Sequence, residues 1–287
     1  ADSYTTNYTD NWSYGHANGR GSVENYHVSS TEINSLATAV YNWKISDDFS
    51  FDALVGNEIR NRNRRQDYAY GSNFNFAGWN NMNNASNYTA SQDLRNFRSV
   101  GTFGNLSLAY KNMLFLNATG RNDIVSSMPR NNRSFFYPSV SGGFIFTELD
   151  ALKNNVLTFG KIRASYAEVG QAGDYFESYY STPLYGGGFS SGTPIIYPIV
   201  NGKNSVVAFT PSSVIYDPNL KPQNTQSYEL GTDLTFWGGL MNLNYTFSRQ
   251  NVKDQIFYFS LAGSTGYSGL VTNGGRIHTN VHEATVN

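Results

Sequence analysis

Cysteine is absent from the 287 residues, which excludes a disulfide framework, a cysteine zinc cluster and a thiol nucleophile. Charge is scarce as well. Asp, Glu, Lys and Arg make up 14% of the chain, where an ordinary soluble domain carries about 25%. The charges nearly cancel, to a formal net of -1, so neither overall basicity toward nucleic acid nor an acidic tail is present. No apolar run reaches the roughly 18 residues of a transmembrane helix. That absence leaves a membrane β-barrel open, because barrel strands alternate and escape a hydropathy scan. The opening residues, Ala1-Asp2-Ser3-Tyr4, do not form a signal peptide.

Aromatics are plentiful, at 15% with 21 Tyr and 19 Phe, and so are Gly (27) and Asn (35). That many aromatics argues against disorder, and the wealth of Gly, Asn, Ser and Thr argues against long helices.

The recurring pattern has period two over segments of about ten residues. In Tyr228–Trp237, Leu230, Thr232, Leu234 and Phe236 fall on one face, and Glu229, Gly231, Asp233 and Thr235 on the other. Gly238-Gly239 reads as a two-residue hairpin turn. Met241, Leu243, Tyr245 and Phe247 then alternate with Asn242, Asn244, Thr246 and Ser248. A second hairpin joins Asn105–Tyr110 to Leu114–Asp123 through Lys111-Asn112, and a third joins Glu32–Trp43 to Phe49–Arg60 around Ser46-Asp47-Asp48. Further strands are expected at Phe135–Phe146 and Val156–Val169, with strand-like segments at Gln255–Leu261 and Gly275–Val286. The turns near 46, 111 and 238 are short, whereas the connectors 66–95, 125–134 and 171–224 are long. A barrel with short periplasmic turns and long extracellular loops alternates in this way, and Thr147–Asn155 fits a short periplasmic helical turn. Glu58, Arg60, Arg62 and Arg64 share one strand face. A dry core could not hold that row without partners, but a water-filled lumen could.

From about residue 95 to 280 the chain resembles the SusC/RagA family of TonB-dependent outer-membrane transporters. The resemblance rests on Leu114–Asp123 (LFLNATGRND), Asn132–Val140 (NRSFFYPSV), Lys161–Gly170 (KIRASYAEVG) and Leu220–Gly231 (LKPQNTQSYELG), with Asn251–Ile256 (NVKDQI) following. It implies an all-β, antiparallel transmembrane barrel of about 22 strands with an internal plug in the bacterial outer membrane. It also implies a SusD-like lipoprotein over the mouth, energy supplied through TonB, and an oligosaccharide or oligopeptide cargo. Residues 1–287 are expected to form one portion of that barrel domain, because roughly nine to eleven strands are about half of what such a barrel needs. Plug, TonB box and accessory N-terminal domain are expected to come from other sequence.

No motif points to catalysis or a cofactor. Gly187–Thr193 is glycine-rich but lacks a phosphate-binding Lys, and His278, His282 and Glu283 do not follow the His-Glu-x-x-His order of a zinc protease. Paired carboxylates such as Asp47-Asp48 sit in turns. Aromatic faces stack on sugars and grip peptide side chains. The loop aromatics Trp79, Tyr175, Phe176, Tyr179, Tyr180, Tyr185, Tyr197 and Tyr216 are therefore the candidates for substrate or lid contact. Arg60, Arg62, Arg64 and Arg95 are the candidate lumen charges, able to steer an anionic solute or to pair with lumen carboxylates or lipopolysaccharide phosphates. The reading is therefore import of an oligomeric nutrient without catalysis, metal or nucleic acid. Two alternatives remain at this point, a secreted carbohydrate-binding β-sandwich and a passive porin-type barrel.

Overall fold

The computed structural model describes residues 2–9, 21–76, 78–149, 151–152, 154–173, 187–188, 194–195, 199–201, 204–206 and 213–287. Fifteen strands are described: β1 (Asp2–Thr9), β2 (Ser22–Lys44), β3 (Phe49–Phe74), β4 (Ala85–Tyr110), β5 (Leu114–Val125), β6 (Ser134–Ile145), β7 (Leu157–Gln171), β8 (Gly187–Gly188), β9 (Pro194–Ile195), β10 (Ile199–Asn201), β11 (Asn204–Val206), β12 (Val214–Tyr216), β13 (Gln223–Phe236), β14 (Met241–Ser260) and β15 (Gly269–Val286). Eleven are hydrogen-bonded in the order β1-β2-β3-β4-β5-β6-β7-β13-β14-β15-β12, while β8-β9 and β10-β11 form two small separate pairs. Two compact units are distinguished, Ala1–Ala37 with Asn57–Val100, and Thr38–Gly56 with Gly101–Asn287.

In the second unit the register places like with like across the strands. Leu116, Gly142, Ala164, Leu230 and Phe247 lie on one rung from β5 to β14, and Leu114, Phe144, Ile162, Thr232 and Tyr245 on the next. The intervening rungs are polar. Asn117, Ser141, Ser165, Glu229 and Ser248 form one of them. Because successive side chains on a strand point to opposite faces, this register separates one apolar face from one polar face. The apolar face is uncovered: Leu116, Val140, Ile162, Tyr228 and Leu230 are 43–55% exposed. Among the described residues, the buried apolar side chains are Val23, Phe74, Ala85, Val125, Met128 and Leu220. These lie at strand ends and in loops, not in a central core. A sandwich would stack a second sheet on the apolar face, and no such sheet exists among the described residues. A water-exposed apolar face of this extent would aggregate; in lipid it is the expected surface.

The short turns follow the local sequence. Lys111 and Asn112 both adopt positive φ (50° and 54°), and the Met113 amide donates to the Tyr110 carbonyl at 2.9 Å, which is a type I′ turn. Ser46 Oγ accepts from the amides of Asp48 and Phe49. Phe146–Glu148 forms a 3-10 turn where a helical turn was expected. The β13–β14 hairpin corrects the expectation of a two-residue Gly238-Gly239 turn. Phe236 pairs with Met241, so the connection is Trp237–Leu240, with Trp237, Gly238 and Gly239 all at positive φ. Aromatics gather at this end, with Phe49 against Tyr110 at 4.4 Å and Phe236 against Trp237 at 5.8 Å between ring centroids. At the other margin of the apolar face, Tyr166 meets Tyr228 at 4.9 Å. Two aromatic margins bounding an apolar band form the girdles of a membrane wall.

One expectation fails at the outer ends. The connector expected over 66–95 spans only 75–84, because β3 and β4 each run 26 residues. Crossing a bilayer takes about 9–11 residues, so most of each strand lies beyond the apolar band. There, polar cross-strand pairs continue the ladder without an apolar period; Gln92 Nε2 donates to Asp67 Oδ1 at 2.7 Å. The strand-like segments are strand as expected: residues 255–260 are the outer part of β14, which ends at Ser260, and Gly275–Val286 is the inner part of β15. Asp254 and Gly275, both at positive φ (55° and 73°), interrupt the periodicity there.

Leu230→Arg on the apolar face is expected to cost about 2–4 kcal/mol of barrel stability. Ser248→Arg on the polar face should cost much less. Urea unfolding of the full-length protein in lipid vesicles would check the contrast.

Candidate functional site

The polar face of the second unit forms a trough of about 510 Å³, lined by Ser107, Asn117, Ser141, Lys161, Arg163 and Glu229 among others. Small side chains on its floor leave the charged ones standing clear. Arg163, on β7, lies along the rung that passes Gly231 on β13 and Thr246 on β14. A Cβ on Gly231 would come within 2.7 Å of Arg163 Nε. The glycine therefore lets the guanidinium cross a whole strand, where its Nη2 donates to Thr246 Oγ1 at 2.7 Å and its Nε stands 3.6 Å from Asp233 Oδ2.

The same device recurs nearer the outer end. Arg121 lies over Gly101, pairs with Asp123 at 2.9 Å and stands 5.5 Å from the centre of the Phe103 ring, while Tyr137 donates its hydroxyl hydrogen to Asp123. Sequence reasoning did not single out Arg163, Arg121 or their partners. The available signal was a glycine inside a strand, which marks a close approach by other atoms.

The candidate charges divide. In the first unit, Arg60 pairs with Glu32 at 2.9 Å and Arg95 with Asp93 at 2.8 Å. Arg62 and Arg64 make no ion pair among the described residues. Of the candidate aromatics, Tyr175, Phe176, Tyr179, Tyr180, Tyr185 and Tyr197 lie outside the described residues. Trp79 is 48% exposed in the β3–β4 loop. Tyr216 ends β12, which pairs in parallel with Gly269–Val271 of β15.

After Tyr216 the chain crosses to β13 as a pinned strap. Asp217 Oδ2 accepts from Thr272 Oγ1 at 2.7 Å, and its Oδ1 accepts from the Asn219 amide at 2.8 Å. Asn273 accepts from the Lys221 amide and donates to the carbonyls of Lys221 and Asp254. Asn132 donates to the carbonyls of Asn219 and Leu220, and Leu220 is fully buried. The hydrogen bonds from Thr272, then from the Asn219 amide, hold the Asp217 carboxyl below its ordinary range.

His278 and His282 do not form a metal site with each other. His278 faces Asn251 at 2.6 Å; His282 meets the Tyr245 hydroxyl at 2.9 Å and lies tilted against the Phe247 ring, 4.9 Å between centroids. Four residues of strand separate them by about 13 Å. Among the described residues no cluster of three or more metal-ligating side chains is present.

An antiparallel sheet with one apolar and one polar face, as in the second unit, is the wall of a transmembrane β-barrel in the bacterial outer membrane. The chain belongs to the TonB dependent receptor-like, beta-barrel family, whose pattern matches residues 1–286. The family is a receptor and transporter family rather than an enzyme class. The chain is 26% identical over 294 residues to the TonB-dependent receptor P26 of Formosa agariphila, covering 99% of this chain and 28% of that protein. It is 27% identical over 191 residues to the TonB-dependent receptor P3 of the same organism, covering 66% of this chain and 18% of that one. The chain thus spans less than a third of the length of these relatives. Its fold matches the structure of the RagAB peptide transporter with a TM-score of 0.81 at 14% identity, over 99% of this chain and 30% of that one.

Two outcomes are expected here. Gly231→Val should expel Arg163 from its rung and lower stability by about 1–3 kcal/mol, measured by denaturant unfolding. Asp217 has a folded pKa below its unfolded one. Its contribution is therefore present above the ordinary aspartate range near 4 and is lost as pH falls through the lower folded value. Hydrogen exchange at the Asn219 and Leu220 amides should stay slow down to pH about 4 and accelerate below it. In Asp217→Ala it should be fast throughout.

Proposed function

We propose that this chain is the wall through which a longer TonB-dependent receptor imports an oligomeric nutrient, an oligosaccharide or an oligopeptide, captured with a SusD-like surface lipoprotein. The observation that carries the reading is the polar trough, with Lys161, Arg163 and Glu229 on adjacent strands of one face. Hydrated charges and small side chains favour passage of a polar solute along that face, whereas a dry, packed interior would not tolerate them. Belonging to the TonB-dependent family supports energy supplied through TonB. The match to a structure described as a peptide transporter supports oligomeric cargo and a two-component assembly. Trp79 and Tyr216 are the described aromatics proposed for substrate or lid contact, with Tyr175, Tyr179, Tyr180, Tyr185 and Tyr197 proposed alongside them from sequence. Arg62 and Arg64 are the cations proposed to meet anionic groups of cargo, since Arg60 and Arg95 already hold carboxylates. The trough assists by lining the path; catalysis has no part in this scheme.

The full-length receptor, expressed with its neighbouring surface lipoprotein, should support growth on an oligomeric nutrient only when TonB is present. Lys161→Glu or Glu229→Lys should reduce uptake severalfold while leaving folded receptor levels unchanged. Growth independent of TonB, with ion conductance in planar bilayers, would replace this reading with a passive porin.

A further inference from the structure

The alternation that separates lipid from water also sorts the charges of the wall. On β7, β13 and β15 the register puts Lys161, Arg163, Glu229, Asp233 and Glu283 on the polar face. Three cations fall on the other one. Arg249 shares a rung with Tyr166 and Tyr228, and Lys253 and Arg276 share the rung of Asn224. Both rungs belong to the face of Leu230 and Phe247, which lipid covers.

Their depth is specific. The apolar face runs from Phe236 to Tyr228, about 27 Å along the strand and about 20 Å across the membrane at the usual tilt. Arg249 is level with its outer aromatic margin. Lys253 and Arg276 lie two rungs further out, about 10 Å higher at the same tilt. That is the depth of lipid headgroups rather than of acyl chains.

Folding alone gives no reason to gather these charges. Lys253 and Arg276 are direct cross-strand partners, and like charges so placed repel. Neither side chain makes a hydrogen bond or ion pair among the described residues. The one carboxylate that the described ladder places on this face of β7, β13, β14 and β15 is Glu168. Its oxygens already accept from the Tyr166 hydroxyl, from Asn224 Nδ2 at 2.8 Å and from Gln226 Nε2 at 3.1 Å. Three cations against one engaged carboxylate leave an excess of positive charge. Asn251, on the rung between, accepts from Arg249 Nε at 3.4 Å. This turns the guanidinium away from the apolar band and toward Lys253. Arg249 and Arg276 are both exposed.

Cations at headgroup depth on the outside of a barrel suit an anionic amphiphile. Its phosphates meet guanidinium and ammonium groups, while its chains lie on the apolar rungs below. We infer that Arg249, Lys253 and Arg276 form a site for the phosphates of a lipopolysaccharide-type lipid, with its acyl chains against Leu230 and Phe247. None of the three lines the trough, so the site stands apart from the import reading and survives its failure.

The test is binding of fluorescent diphosphoryl lipid A to the delipidated full-length receptor in a neutral detergent. Monophosphoryl lipid A, phosphatidylcholine and inorganic phosphate are the comparison arms. Diphosphoryl lipid A should bind best and weaken as salt rises. Lys253→Ala combined with Arg276→Ala should weaken it about tenfold, the loss expected for one charge-assisted contact. Lys253→Arg should retain it. Heat-modifiable gel mobility shows whether each variant is a folded barrel. Where the double variant does not fold, Lys253→Met and Arg276→Met, tested singly, keep the apolar stems and read the charge alone. Equal binding of phosphatidylcholine overturns the proposal, as does lipid A binding that ignores these substitutions or salt. Displacement by inorganic phosphate at the concentration of lipid A itself would replace the lipid site with a simple anion site.

Discussion

A backbone amide in hydrocarbon has no water to bond, so each strand that crosses a bilayer must find its hydrogen-bond partners in neighbouring strands. That constraint organises this wall. It requires long, regular, antiparallel pairing from β5 through β15, and it confines irregular backbone to the ends. The positive-φ residues follow suit. Lys111, Asn112, Trp237, Gly238 and Gly239 sit in turns, and Asp254 and Gly275 sit opposite one another in the outer parts of β14 and β15. Because pairing is continuous, a side chain has only two directions to take, and lipid and water divide them.

The two faces solve different problems. Toward lipid, Leu230, Phe247 and their rung neighbours need only be apolar, since acyl chains conform to them. Toward water, the polar face must place charges without burying them. It does so by setting Arg163 over Gly231 and Arg121 over Gly101, so that each guanidinium lies along the wall; Arg163 meets Thr246 on β14 and Arg121 meets Asp123 on its own strand. Ion pairs in contact with water contribute little stability individually. Their consequence is the shape and polarity of a face along which a hydrated solute can move.

Beyond the apolar band, asparagine takes over as the organising residue. Asn84 closes the β3–β4 loop, Asn132 holds the strap after β12, and Asn273 ties that strap to β14 and β15. One amide offers donors and acceptors together without charge, which suits loops whose backbone groups lack strand partners. The abundance of Asn in the composition thus has a structural use at the rim, and the conformations it fixes are those that present Trp79 and carry the chain past Tyr216.

The sequence by itself determined the strand period, the two faces and most of the turns. Period two is a local property: Leu230, Thr232, Leu234 and Phe236 declare a face whatever their neighbours are. It also carried the family, through four ordered strand motifs. It did not reveal that β3 and β4 continue far past the membrane, because their outer parts are held by polar cross-strand pairs such as Gln92 with Asp67, which have no apolar signature. Nor did it reveal which arginines are committed. Arg60 and Glu32 lie 28 residues apart in sequence, and only the pairing of their strands brings them together. The same holds for Asn132 and Leu220, and for Arg163 and Thr246. Period is written residue by residue along one strand. Partnership depends on register between strands, and register exists only once the sheet has formed.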